Sequence, residues 1–210
     1  MLKVALTGGV ASGKSTVAAL LREAGLPVLD SDVLARQAVA PGKPAWQALR
    51  QAFGEEFFAP DGSLDRAALA AYVFTHPQAR RRLDKIIHPW IAQELQTRLA
   101  ALEAQGEPLV VVEIPLLYEL GLETRYDSVI VVVATPEAQK NRLAQRDARS
   151  PEEIAGLLAA QAPLAGKAAR ADFIVDNSGD RTAIRRQVEK IVLDLRKQLD
   201  KDRQKVYREN

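Results

Sequence analysis

Residues 3–7 form a short apolar run that leads straight into Gly8-Gly9-Val10-Ala11-Ser12-Gly13-Lys14-Ser15-Thr16. No other segment restricts the fold as strongly. The run reads as a buried strand, and the residues from about Lys14 onward have the spacing of an amphipathic helix. Glycines between the two let the backbone turn tightly, so that successive N–H groups point toward one centre. The N-terminus of the helix adds its partial positive charge at the same point. A strand, glycine loop and helix in this order are suited to hold phosphate. The residues expected at the phosphates are Gly8, Gly9, Ala11, Ser12, Gly13, Lys14, Ser15 and Thr16. Lys14 would reach the β- and γ-phosphates, and the Ser15 hydroxyl would bind Mg²⁺. The pattern points to ATP binding. By itself it says little about what is done with the nucleotide.

Further apolar, β-branched runs at 109–114, 128–133 and 173–175, with a weaker one at 27–30, read as strands alternating with helices. The implied fold is α/β: a parallel sheet of the P-loop NTPase type, flanked by helices on both faces. Thr135-Pro136 has the form of an N-cap followed by proline at the first helical position. Ser150-Pro151-Glu152-Glu153 matches a capping box, and Gly25 ends the helix after the glycine loop. Residues 42–106 break the alternation with amphipathic helical segments near 46–53, 66–74, 78–87 and 91–104. They predict a helical insertion between the second and third strands. The expected division is a nucleotide core (about 1–41 and 107–200), an acceptor-binding insertion (about 42–106) and a lid (about 142–165). A helix over about 182–199 runs into a charged tail, expected to be a solvated helix end.

Composition removes whole classes of function. Lysine and arginine nearly balance the acids at a net charge of +2, which argues against a bulk electrostatic nucleic-acid binder. There is no cysteine, so disulfides, thiolate zinc sites and thiol catalysis are excluded. No apolar stretch approaches the roughly 20 residues of a membrane span. A cleaved leader would overlap the glycine loop, so a cytoplasmic location is expected.

Beyond the loop, several side chains point to phosphoryl transfer. Asp30-Ser31-Asp32 follows the second strand, at the sheet edge where ligands bind in open α/β folds. One of the two carboxylates can cap the helix that follows. Asp30 is the better cap, which leaves Asp32 to orient or deprotonate an acceptor hydroxyl. Arg142 and Arg146 share a helix face, with Arg149 just beyond, and could supply mobile cations over the transferring phosphoryl group or form a solvated basic face. The Arg146-Asp147 pair stands where a lid would hinge. Glu113, ending the third strand, suits either a water-mediated magnesium contact or a buried acid satisfied by backbone N–H groups. Pro115-Leu116-Leu117 is placed to shape the acceptor pocket. His88, before Pro89, is expected at a break between two helices, as an acceptor contact or a structural histidine. The two histidines have no metal-ligand spacing with acidic residues.

Taken in order, these segments resemble the dephospho-CoA kinase family. The likeness begins at Leu6-Thr7-Gly8-Gly9-Val10-Ala11-Ser12-Gly13-Lys14-Ser15-Thr16. It continues through Asp30-Ser31-Asp32 with Arg36 and Pro41-Gly42, His88-Pro89, Pro115-Leu116-Leu117-Tyr118-Glu119, residues 142–147, and Asp176-Asn177-Ser178-Gly179. Tyr118 stands where the family commonly has phenylalanine. The resemblance implies ATP-dependent phosphorylation of the ribose 3′-hydroxyl of dephospho-CoA, the last step of coenzyme A synthesis. It implies Lys14, Asp32 and Arg146 as catalytic groups, with Arg142 and Asn177 near ATP. Arg36, His88, Leu116 and Leu117 would join Asp32 at the acceptor. Other kinases of nucleosides, nucleotides or shikimate share the loop, but the Asp-x-Asp and Pro-Leu-Leu pair argues against them. A regulatory GTPase would carry Asn-Lys-x-Asp, which is absent.

Overall fold

In a computed structural model of the chain, β1 (Leu2–Gly8) is the centre of a five-stranded sheet. Residues 1–147, 150–159 and 164–209 are described, except for the side chains of 146–147, 159 and 202–209. The other strands are β2 (Val28–Asp30), β3 (Leu109–Glu113), β4 (Ser128–Val133) and β5 (Phe173–Asp176), in the order β2-β3-β1-β4-β5. β1 runs parallel to both β3 and β4, and β4 runs parallel to β5. Val110, Val111 and Val112 are fully buried, so both faces of the sheet are covered. This explains the continuous apolar runs, where a one-sided sheet would alternate.

The chain divides into two compact units, one of Met1–Leu29 with Gly106–Asn210 and a second of Asp30–Gln105. In the first, one face of the sheet packs on α1 (Lys14–Glu23) and α9 (Arg181–Glu209). Val17, Leu20 and Leu21 meet Ile184, Val188, Ile191 and Leu195 there. Gly25 closes α1 as expected: its N–H donates to Arg22 O at 2.9 Å, and that of Leu26 to Leu21 O at 3.1 Å. Thr135 Oγ1 accepts from the N–H of Ala138 at the start of α6 (Pro136–Asp147). At the start of α7 (Pro151–Ala159), the Ser150 N–H donates to Glu153 Oε2 at 2.9 Å. The Glu153 N–H donates back to Ser150 Oγ at 3.2 Å, a complete capping box. The backbone of α9 remains helical through the charged tail to Glu209.

The second unit is helical, holding α2 (Ser31–Ala38), α3 (Pro44–Phe53), α4 (Arg66–Thr75) and α5 (Pro77–Ala104). Its described β pairing is a single antiparallel bridge, Phe58 to Leu64. One expectation fails here. Residues 78–87 and 91–104 are not separate helices, because α5 continues through Pro89. Proline removes one intrahelical donor and costs about 3 kcal/mol in a helix interior. Lys85, four residues earlier, is exposed, so water can take the carbonyl that loses its donor. Leu83, Ile86, Ile87 and Trp90 pack on both sides of the break against Ala38, Val39, Ala45 and Leu49. That burial outweighs the local penalty, and His88 lies inside a helix.

Candidate active site

β1 delivers the glycine loop to the carboxyl edge of the sheet, and α1 leads away from it. Gly13 has φ 88°, a left-handed conformation, and forms the N-cap of α1. A Cβ on Gly13 would lie 1.8 Å from Asn177 Nδ2, and one on Gly8 would lie 2.4 Å from Val132 O. Both glycines are therefore required by close approach. Ala11 has φ 51°, strained for a residue with a side chain, a conformation that surrounding contacts must hold. Lys14 Nζ donates to the carbonyls of Gly9 at 3.1 Å and Gly8 at 3.4 Å, bringing the ammonium back over the start of the loop. Ser15 is exposed in the first turn of α1. Its hydroxyl is a hard oxygen donor of the kind magnesium takes alongside phosphate oxygens and water. Among the described residues there is no cluster of three His, Cys, Asp or Glu that could hold a metal by itself.

Three side chains from outside the loop hold its backbone. Gln139 Nε2 donates to Val10 O at 2.7 Å. Arg142 Nη1 donates to Ala11 O at 3.2 Å and Ser12 O at 3.1 Å, and its Nη2 donates to Asn177 O at 2.6 Å. Asn177 Nδ2 adds a bond of 2.7 Å to Ser12 O. Gln139 and Asn177 are both buried. The turn that carries Asn177 is itself pinned. Gln187 on α9 accepts from the N–H of Asp176 at 2.9 Å and donates to its carbonyl at 3.0 Å. Asp176 Oδ1 accepts from the Ser178 N–H, and Ser178 Oγ accepts from the Thr135 N–H.

Thr7 Oγ1 donates to Pro115 O at 3.3 Å, which ties the end of β1 to the Pro115-Leu116-Leu117 segment. Leu117 is fully buried and anchors that segment, while Leu116 is 45% exposed. Glu113 is buried at the end of β3, paired in register with Leu6. Glu119 meets the buried ammonium of Lys167 at 2.5 Å, which attaches α8 (Leu164–Ala168) to the same stretch. Arg170 pairs with Glu123 and lies 4.4 Å over the Tyr118 ring. Burial pushes the Tyr118 phenol upward in pKa.

In the helical unit, Asp30 is the cap of α2, accepting from the N–H groups of Asp32 at 2.8 Å and Val33 at 3.1 Å. Asp32 and Arg36 stand one turn apart on α2, both exposed. His88, also exposed, lies 3.8 Å from Asp84, one turn earlier on α5. The backbone of Arg146 is in the last turn of α6, but its side chain and the whole of Arg149 lie outside the described residues. The same holds for parts of the 142–165 segment, at 148–149 and 160–163.

The sequence profile of dephospho-CoA kinase matches residues 2–183. The chain belongs to the dephospho-CoA kinase family. A dephospho-CoA kinase of Anaeromyxobacter dehalogenans is 50% identical over 196 residues, covering 93% of each chain. One from Arabidopsis thaliana is 38% identical over 93% of this chain and 84% of its own. A crystal structure from Thermus thermophilus superposes with a TM-score of 0.80 at 38% identity, covering 92% of this chain and 97% of that one. The fold inferred from strand–helix alternation is thus the fold of the dephospho-CoA kinase family. Family likeness did not single out Gln139 or Gln187. The one available signal was spacing: Gln139, Arg142 and Arg146 fall three and four residues apart, on one face of α6.

Proposed function

We propose that the chain transfers the γ-phosphoryl group of Mg·ATP to the ribose 3′-hydroxyl of dephospho-CoA, giving coenzyme A and ADP. The observation that carries this reading is membership of the dephospho-CoA kinase family over nearly the whole chain. The phosphates lie along the backbone of Gly8, Gly9, Ala11, Ser12, Gly13, Lys14, Ser15 and Thr16, at the N-terminus of α1. Lys14 swings from the Gly8 and Gly9 carbonyls to the β- and γ-oxygens, where its positive charge offsets the charge that develops during transfer. The Ser15 hydroxyl would hold magnesium, and the ion would supply further neutralisation of phosphate charge. Arg142 and Asn177 border the nucleotide. Asp32, exposed in the first turn of α2, is the carboxylate assigned to align the acceptor hydroxyl and receive its proton, while Asp30 caps that helix. Arg36, His88, Leu116 and Leu117 contact the acceptor, and the 142–165 segment acts as a lid that brings Arg146 onto the phosphates as it closes. The reading includes a cytoplasmic location and no nucleic-acid partner. No described helix is long and apolar enough to cross a membrane.

The test is a phosphoryl-transfer assay on dephospho-CoA, AMP, adenosine, uridine and shikimate, with the product mapped by phosphorus NMR. Dephospho-CoA should be preferred and the new phosphate should appear on the 3′-oxygen. Equal phosphorylation of AMP on its existing phosphate would make the protein a nucleotide kinase and end this reading.

A further inference from the structure

Three successive carbonyls of the glycine loop, those of Val10, Ala11 and Ser12, receive hydrogen bonds from Gln139, Arg142 and Asn177. From this geometry we infer that Gln139 is a positioning residue for ATP, acting through the loop backbone, with Arg142 and Asn177 completing the same clamp. The inference rests on the nucleotide-binding half of the proposed function and not on the identity of the acceptor.

In a planar trans peptide the C=O of one residue and the N–H of the next point in opposite directions. Holding the Val10 carbonyl against Gln139 therefore directs the Ala11 N–H to the opposite side. Holding the Ser12 carbonyl against Arg142 and Asn177 directs the Gly13 N–H likewise. The Ala11 carbonyl, bonded to Arg142, fixes the peptide whose Ser12 N–H closes a turn onto Gly9 O at 3.2 Å. The N–H directions on which phosphate binding depends are thus set before any ligand arrives. Ala11 at φ 51° makes such holding necessary, because an unheld loop would relax toward a conformation without that strain.

Gln139 is the member of the clamp whose contribution separates most cleanly. Its side chain has one described contact to the loop, a neutral amide N–H on Val10 O, and it is 7% exposed. Arg142 also bonds Asn177, and Asn177 also fills the space beside Gly13, so their removal disturbs more than one contact. Since Gln139 touches the outer side of the loop, its loss should weaken ATP and leave the acceptor alone.

The experiment compares wild type with Gln139→Leu and Gln139→Glu. Calorimetric titration with Mg·ATP, in the absence of acceptor, gives nucleotide affinity. Steady-state kinetics gives the two KM values, and thermal unfolding of the unliganded proteins gives Tm. Loss of the donor that orients the Val10 carbonyl should weaken Mg·ATP binding about tenfold in Gln139→Leu. The effect should be at least as large in Gln139→Glu, where a carboxylate oxygen would face the carbonyl. The acceptor KM should stay within about twofold of wild type. Wild-type ATP affinity in either folded variant would overturn the inference. A parallel rise in both KM values with a falling Tm, or failure of both variants to fold, would also overturn it by making Gln139 a general packing residue. Wild-type protein that binds Mg·ATP but does not phosphorylate dephospho-CoA would refute the acceptor assignment alone.

Discussion

Replacing Gly13 by alanine tests how closely the loop is fitted to the turn after β5. Two costs follow from the geometry. A residue with a side chain at φ 88° pays about 1–2 kcal/mol for the left-handed conformation. The added methyl would also lie 1.8 Å from Asn177 Nδ2, so the amide must leave its bond to Ser12 O. Asn177 is 3% exposed, and a buried group deprived of its partner costs about 1–3 kcal/mol. Alanine recovers about 0.4–1 kcal/mol by restricting the unfolded chain. The net expectation is a loss of about 1–5 kcal/mol. The two costs separate in a double-mutant cycle, because Asn177→Ala removes the colliding atoms and leaves the φ strain. Urea unfolding of wild type, Gly13→Ala, Asn177→Ala and the double variant, all without nucleotide, should give a coupling of about 1–3 kcal/mol. Losses that add to within about 0.5 kcal/mol would mean that the alanine is accommodated without displacing Asn177. The claim that this amide shapes the loop would then be wrong.

Other outcomes follow from the same geometry. Lys14→Ala should lower turnover about 10²- to 10³-fold with the fold retained, as judged by circular dichroism and kcat, because its described contacts are to loop carbonyls. Asp32→Asn should lose at least about tenfold in kcat with ATP affinity little changed, whereas Asp30→Ala should mainly lower Tm, because it removes the cap of α2; equal kcat losses in the two would refute the division of roles. Lys167→Met strands Glu119, whose side chain is 29% exposed. Water can relieve part of the penalty of breaking a buried pair, so a loss of about 1–3 kcal/mol is expected in urea unfolding, and Glu119→Gln combined with Lys167→Met should recover part of it.

What could be read from the sequence was whatever is encoded locally. The Ser150 to Glu153 capping box, the Thr135 cap and the Gly25 helix stop each occupy a few consecutive residues, and each is present as read. The strands were legible because burial on both faces leaves continuous apolar runs. Pro89 misled because its local penalty was weighed without the packing of Leu83, Ile86, Ile87 and Trp90, which only the folded unit reveals. The choice of Asp30 over Asp32 as cap agreed with sequence reasoning, since N-cap geometry is itself local. The clamp on the loop was illegible for the opposite reason. Gln139 and Arg142 meet residues about 130 positions away, and Asn177 meets Ser12 across 165. A buried glutamine and a solvated one look alike in a string of letters.

That separation along the chain has a consequence for how the protein is made. A ribosome delivers residues 8–15 early, together with the strand that places them, yet the side chains that hold the loop carbonyls come from positions 139, 142 and 177. β1 also lacks its sheet neighbours until β3 and β4 have been synthesised. Until then the loop lacks the hydrogen bonds that Gln139, Arg142 and Asn177 give to its carbonyls, and the last of them requires the turn after β5. Gln187 lies later still, on α9, and secures that turn. A chain truncated before α9 would keep the motif and its three clamp side chains but lose Gln187, which pins the turn that carries Asn177. The earliest part of the nucleotide site in sequence thus depends for its shape on residues 139, 142, 177 and 187, all later in the chain than β4.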